Sequence, residues 1–110
     1  MTLSTHVLDA GRGHPAVGVP VTLHRLVGET WERVGEGRTD SDGRVSGLAD
    51  NGLRSGIHRL DFDTGVYFTA SGQRGFYPAV QVTFEVDDPE QHYHVPLLLS
   101  PYAFSTYRGS

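Results

Sequence analysis

Short runs of alternating apolar and polar residues, separated by glycine- and proline-rich turns, constrain the fold of this chain most strongly. The clearest run places Val80, Val82, Phe84 and Val86 at every second position. Side chains two residues apart on a β-strand point to the same face, so this spacing predicts a strand with one buried face. The 14 glycines and 6 prolines fall between such runs, which indicates short strands joined by tight turns.

The alternating runs predict an all-β protein of seven to eight strands. Two runs close the chain, the first from Tyr93 to Leu99 and the second after Ser100-Pro101. Strands with one apolar face become stable when two sheets pack these faces together. We therefore expect a two-sheet antiparallel β-sandwich. The other predicted strands span residues 2–9, 19–27, 30–39, 44–46, 57–63 and 77–86.

One short helix is predicted over residues 64–72. Thr64 is a suitable N-cap residue, and Val66, Tyr67 and Ala70 repeat with the spacing of one helical face. Gly72 is expected to end the helix, because glycine readily adopts the backbone conformation that follows a helix C-terminus.

Pro96 lies inside the run from Tyr93 to Leu99. Proline has no backbone N–H and is confined to edge strands, strand ends and bulges. The sequence therefore predicts that this strand is at a sheet edge or carries a bulge at Pro96. An edge strand with an apolar face would also offer a surface for dimerisation.

The composition is that of an ordinary globular domain, and we expect residues 1–110 to form a single one. The chain is 37% hydrophobic and 20% charged, with no cysteine and a formal net charge of -4. The acidic balance argues against nucleic acid and anionic membranes as partners. No apolar run is long enough to span a bilayer, and the first residues lack a signal-peptide pattern. We expect a cytoplasmic protein that gains stability by oligomerising.

Histidines are the main candidates for chemistry. His6 lies within the first predicted strand, and His92 and His94 share one face of the last long strand. Imidazole titrates near neutral pH and serves as a general base, although each histidine could equally be an ordinary surface residue. A His-x-His pair also occurs in metal sites, but no third ligand lies nearby in sequence, so we predict no metal site.

Arg44 follows a tight turn at residues 40–43, Asp-Ser-Asp-Gly. The two aspartates resemble the start of a calcium loop, but the remaining ligands are missing, so we predict a hairpin turn. An arginine fork suits a planar, polar substrate. From composition alone, Arg38 on the other side of the turn is nearly as plausible, and either arginine could simply be solvated.

The C-terminal sequence HVPLLLSPYAFSTYRGS resembles that of the transthyretin-like 5-hydroxyisourate hydrolases, enzymes of urate breakdown. Two further blocks, LSTHVLD at residues 3–9 and RTDSDGR at residues 38–44, occur in the expected order. The likeness spans nearly the whole chain. It departs mildly at Phe104, where tyrosine is common in the family.

This resemblance implies a transthyretin-like fold and the hydrolysis of 5-hydroxyisourate to 2-oxo-4-hydroxy-4-carboxy-5-ureidoimidazoline. His6 and His94 would activate and hold the water, with the choice of base left open, and Arg44 would bind the purine-derived substrate. The Tyr-Arg-Gly-Ser end would fold into the site, where Tyr107 binds substrate and Ser110 lies near the reacting atoms. The scheme requires no cofactor. It also implies a homotetramer, a dimer of dimers with its sites in a channel between the dimers.

A small-molecule carrier is the alternative function. Transthyretin, a thyroid-hormone carrier, resembles this chain in fold and in residues 99–102, Leu-Ser-Pro-Tyr. It has Lys, Glu and Thr at the positions of His6, Arg44 and His94, and it lacks the Tyr-Arg-Gly-Ser end. The hydrolase is therefore the favoured reading, and a purely structural sandwich module would leave this set of residues unexplained.

Overall fold

A computed structural model describes residues 3–110, so the predicted strand position at Thr2 lies outside the described residues. The described part contains nine strands and one short helix, which confirms the predicted all-β sandwich with a single helix. The short strand β2 was not predicted. The elements are β1 (Leu3–Asp9), β2 (His14–Pro15), β3 (Pro20–Val27), β4 (Thr30–Arg38), β5 (Arg44–Ser46), β6 (Gly56–Phe62), α1 (Thr64–Ala70), β7 (Val80–Val86), β8 (Tyr93–Ser100) and β9 (Ala103–Thr106).

The strands form a five-stranded and a four-stranded sheet. The order in the first sheet is β2-β1-β8-β9, with β5 also paired to β1, and the order in the second is β4-β3-β6-β7. The strand pairs are antiparallel except for β1 and β8, which run parallel. A parallel pair needs a long crossover connection, and here the whole intervening part of the sandwich supplies it.

The core lies between the inner faces of the two sheets. Leu23 and Leu60 from the four-stranded sheet and Leu97 from the five-stranded sheet are completely buried. The alternation along β1 buries Leu3, Thr5, Val7 and Asp9 and turns the residues between them outward. The predicted buried face of the last long strand, Tyr93 to Leu99, is also confirmed. No helix among residues 3–110 is long and apolar enough to cross a membrane.

The prediction that Pro96 lies on an edge strand or at a bulge is wrong. β8 lies between β1 and β9, and its register with β1 is continuous through Pro96. The Pro96 carbonyl faces β9 and accepts a hydrogen bond of 2.7 Å from Thr106 Oγ1, so the nitrogen faces β9 as well. Regular pairing between β8 and β9 begins only at Leu97, and the missing N–H therefore falls at a gap in the ladder.

Helix α1 begins differently from the prediction. Asp63, not Thr64, is the N-cap, and its side chain accepts a hydrogen bond from Val66 N. Thr64 is buried and donates from Oγ1 to the Tyr77 carbonyl at 2.6 Å. The helix buries Thr64, Tyr67 and Phe68 and leaves Val66 exposed, so its buried face is shifted from the predicted one.

A buried carboxylate connects the helix to the first strand. Asp9 Oδ2 accepts hydrogen bonds from Tyr67 Oη at 2.6 Å and Gln73 Nε2 at 3.1 Å, and Oδ1 accepts from Arg12 N at 2.9 Å. Burial by itself would raise the pKa of Asp9, but these three donors outweigh it and hold the pKa below its usual value. Burial and the hydrogen bond to Asp9 raise the pKa of Tyr67 to about 12.

Tyr67→Phe is expected to destabilise the protein without changing its fold. The substitution removes one hydrogen bond to an ionised carboxylate, which is worth about 2 kcal/mol in the free energy of unfolding. The carboxylate contribution is present above the unfolded pKa of about 3.9 and is lost as the pH falls through the lowered folded pKa. Urea unfolding at several pH values measures both effects.

The matched control is Tyr102→Phe, because Tyr102 is 71% exposed. This variant should unfold like the wild type. Equal stability of Tyr67→Phe and wild type near neutral pH would contradict the stabilising role of the hydrogen bond to Asp9.

Candidate active site

Three strands of the five-stranded sheet bring His6, Arg44 and His94 onto its outer face. His6 lies opposite Arg44 in the pairing of β1 with β5. Ser4 lies opposite His94 in the pairing of β1 with β8. Adjacent strands are about 4.8 Å apart, and residues two apart share a face, so these side chains form one surface. Residues from three separate segments of the sequence thus become neighbours.

The turn at residues 40–43 holds one of these histidines. His6 Nε2 lies 2.9 Å from the carbonyl oxygen of Asp42. A carbonyl only accepts hydrogen bonds, so Nε2 carries the proton, and in the neutral ring Nδ1 keeps a free lone pair. The Asp42 carbonyl therefore sets both the orientation and the tautomer of His6.

The same turn places Arg44 at the start of β5. Asp40 Oδ1 accepts hydrogen bonds from the backbone N–H groups of Arg44 at 3.0 Å and Asp42 at 2.8 Å. These two donors hold the pKa of Asp40 below its usual value. Gly43 has a φ of 76°, and a Cβ there would lie 2.4 Å from the Val7 carbonyl oxygen. The predicted tight turn is present, but the prediction of a hairpin is wrong, because β4 lies in the four-stranded sheet and β5 pairs with β1 in the other sheet. Gly43 allows the turn to pack closely on β1.

His94 is partly buried beside Arg44 and His6. Burial lowers its pKa, and the positive charge of Arg44 lowers it further, with a smaller influence from His6. The imidazole is therefore neutral near neutral pH and able to accept a proton. Its Nδ1 lies 2.8 Å from Ser4 Oγ, which anchors the ring on the sheet.

Ser4 is a site residue that the sequence reasoning missed. Its position two residues before His6 places both on one strand face, and this spacing is the only local signal. The contact with His94 depends on the parallel pairing of β1 and β8, which residue spacing does not reveal. His92 is exposed, with Nε2 3.4 Å from Ser4 Oγ. Within residues 3–110, no group of three or more metal-ligating side chains is arranged around one point.

The C-terminal tail runs back along β8 and contacts His94. Gly109 N donates to the His94 carbonyl at 2.8 Å, and a Cβ on Gly109 would lie 2.5 Å from His94 Cδ2. The Arg108 guanidinium stacks over the Tyr93 ring at 4.6 Å. The chain end is therefore held beside the histidine.

Tyr107 and Ser110 flank this contact and are both exposed, as is Arg44. The exposed fraction of Tyr107 is 60%. The candidate site is thus an open surface on one chain, with the histidines against the sheet and the arginine and the tail at its margin.

The chain matches a known family over almost its whole length. Residues 3–109 match the family model described as HIUase/Transthyretin family. The 5-hydroxyisourate hydrolase of Caulobacter vibrioides is 46% identical over 112 residues, which cover 98% of this chain and 97% of that protein.

Two solved structures share the fold. The 5-hydroxyisourate hydrolase of Klebsiella pneumoniae superimposes with a TM-score of 0.88 at 36% identity, over 99% of this chain and 98% of that chain. Sea bream transthyretin in complex with thyroxine superimposes with a TM-score of 0.91 at 31% identity, over 99% and 95% of the two chains. The sequence blocks, the sandwich and these matches together place the chain in the HIUase/transthyretin family.

Proposed function

We propose that this chain hydrolyses 5-hydroxyisourate to 2-oxo-4-hydroxy-4-carboxy-5-ureidoimidazoline in the breakdown of urate. The observation that carries the proposal is the cluster of His6, Arg44 and His94 on one sheet face. The relatives named 5-hydroxyisourate hydrolase support it, at up to 46% identity over nearly the full chain. In the reaction, water adds to a carbonyl carbon, the ring C–N bond breaks, and the leaving nitrogen takes a proton.

His94 is the proposed base. Its lowered pKa keeps it neutral near neutral pH, and a neutral imidazole can take a proton from water as the oxygen attacks. If the Ser4 hydroxyl accepts from Nδ1–H, the lone pair of Nε2 faces the reacting water. Ser4 would then be a positioning residue, because it sets the tautomer of His94 through their 2.8 Å contact.

His6 and Arg44 complete the proposed chemistry. The free Nδ1 of His6 can hold the water or the substrate, since its Nε2 proton is engaged by Asp42. The Arg44 guanidinium would bind the polar ring of the substrate and stabilise the oxyanion that develops on its carbonyl. The positive charge of Arg44 also disfavours protonation of His94. This effect helps to keep the base neutral before proton transfer.

The tail supplies the remaining contacts of the proposed site. Gly109 packs against the His94 ring, so the neighbouring Ser110 can reach a substrate bound at the histidine. Tyr107 has a largely exposed ring that is free to pack on a planar heterocycle. No step of this scheme uses a cofactor.

The carrier function is disfavoured by these side chains and not by the fold. Sea bream transthyretin, solved with thyroxine, superimposes as closely as the hydrolase does. A carrier needs shape and an apolar surface, whereas this sheet face holds a neutral base beside a guanidinium. That pairing is suited to hydrolysis.

We propose that a second subunit covers the open site and that the protein assembles as a homotetramer. We expect this tetramer to be cytoplasmic. Leu8 and Leu98 pair with each other on the same outer face as His6 and His94, and they offer apolar contact for a facing dimer. β9 is an exposed edge strand that can pair with a second copy. The substrate would lie in the channel between the two dimers.

His6→Ala, Arg44→Ala and His94→Ala are each expected to lower kcat/KM about 100-fold or more, because a positioned acid, base or oxyanion donor contributes about 10²–10⁴-fold. The measurement follows 5-hydroxyisourate, generated in place from urate, by its absorbance. Spontaneous decay without protein is the baseline.

Exposed residues outside the site provide controls for these substitutions. His14→Ala and Arg74→Ala should retain wild-type activity, since both side chains are exposed and neither belongs to the proposed cluster. A folded wild-type protein that does not accelerate the decay would overturn the proposed function.

Arg44→Gln is expected to raise the pKa of His94. The titratable groups that influence His94 are Arg44, His6 and His92, and Arg44 has the largest effect of the three. NMR titration of the His94 ring protons in the free protein measures this pKa directly. With His94 as base, kcat/KM of the wild type should fall as the pH drops through the same lowered pKa. An unchanged His94 pKa in Arg44→Gln would contradict the proposed coupling.

Leu98→Arg is expected to convert the proposed tetramer into dimers and to reduce activity, because two arginines would face each other across the channel. Analytical ultracentrifugation measures the assembly. Val27→Arg is the control, since Val27 is an exposed apolar residue on the other sheet. Wild-type protein that sediments as a monomer at assay concentrations would refute the tetramer.

A further inference from the structure

A polar cavity that contains none of the proposed site residues lies beside the β3–β4 hairpin. Its volume is about 300 Å³, and it is walled by Arg25, Arg33, His58 and the loop that carries Asn51 and Arg54. Small-molecule sites occupy roughly 300–1,000 Å³. The cavity therefore has room for a small ligand.

The charges around this cavity favour an anion. Three arginines line it, and Glu32 is the only acidic residue among the lining side chains. Glu32 lies opposite Arg25 in the strand register, but the arginine–carboxylate ion pairs of the described residues join Arg33 to Glu36 and Arg59 to Asp61 instead. Arg33 is thus balanced by Glu36, and Arg25 and Arg54 together carry one positive charge more than Glu32 offsets.

Arg25 presents a donor that the described residues do not use. Its Nε is buried, and no hydrogen-bond partner for it exists within residues 3–110. Buried donors in folded proteins are normally paired, because an unpaired one loses its hydration without replacement. Arg25 also lines the cavity, so an anion bound there would lie against this guanidinium group.

His58 forms a rigid wall of the cavity. It is 1% exposed and stacks on Phe84, with ring centroids 5.8 Å apart. Its Nδ1 lies 3.1 Å from the Gly56 carbonyl, so Nδ1 carries the proton. Burial lowers the pKa of His58, and the charge of Arg25 lowers it further. His58 is thus neutral, and the arginines supply the positive charge of the cavity.

We propose that this cavity binds a small molecule through a phosphate or carboxylate group. Arg25 would donate from its guanidinium group, and Arg54 would donate to the same oxyanion from the loop. Guanidinium groups match both anions with paired, charge-assisted hydrogen bonds. This site is separate from the proposed hydrolase chemistry, and neither depends on the other.

NMR titration of the full chain with inorganic phosphate tests the proposal, with acetate in a parallel titration and ionic strength held constant by chloride. We expect saturable shifts of the Arg25 Nε–H and of the Gly52 and Arg54 amides. Arg25→Gln and Arg54→Gln should each weaken binding about ten-fold, the loss expected for one charge-assisted hydrogen bond. The stronger of the two anions identifies the preferred group.

Arg74→Gln is the matched control, because Arg74 is exposed and lies outside the cavity. It should bind as tightly as the wild type. Arg54 is also exposed, so its substitution tests the site even if Arg25→Gln does not fold. Shifts that do not saturate, shifts confined to residues around Arg44, or equal weakening by Arg74→Gln would overturn the proposal.

Discussion

The parallel pairing of β1 with β8 is the interaction on which the rest of the structure depends. It joins the two ends of the chain in the centre of the five-stranded sheet and buries Leu3, Val7 and Leu97 against the other sheet. The same pairing places Ser4 beside His94, and His6 lies two residues further along β1 on the same face. Core formation and site assembly are therefore one event, because alternate residues of the same strands serve the core and the site.

The site is built with little backbone strain and few side-chain contacts. A turn carbonyl orients His6, a serine hydroxyl contacts His94, and a returning glycine packs on the His94 ring. Burial lowers the pKa of His94, and the nearby charge of Arg44 lowers it further. In the proposed reaction the same guanidinium that lowers the basicity of His94 also attracts the polar substrate, so binding and base preparation are linked through one charge.

Hydrolase and carrier share this sandwich, so the fold alone does not decide between them. The buried core residues determine how the two sheets pack, while the side chains on the outer face can change without loss of this packing. In this chain the outer face carries imidazole, guanidinium and hydroxyl groups around a small apolar pair, Leu8 and Leu98. The cavity lined by Arg25, Arg33 and Arg54 lies beside strands of the other sheet.

The sequence by itself determined eight of the nine described strands, the tight turn at residues 40–43 and the buried faces of the main strands, because these depend on local periodicity and on glycine conformation. The resemblance to a known family selected His6, Arg44 and His94. Only the tertiary structure decided that Ser4 contacts His94, that Pro96 faces a gap in a central strand, and that Asp63 rather than Thr64 caps the helix. These outcomes depend on contacts between segments distant in the chain, and on competition for a residue such as Thr64, which hydrogen-bonds to Tyr77 instead. Residue spacing carries no information about such partners.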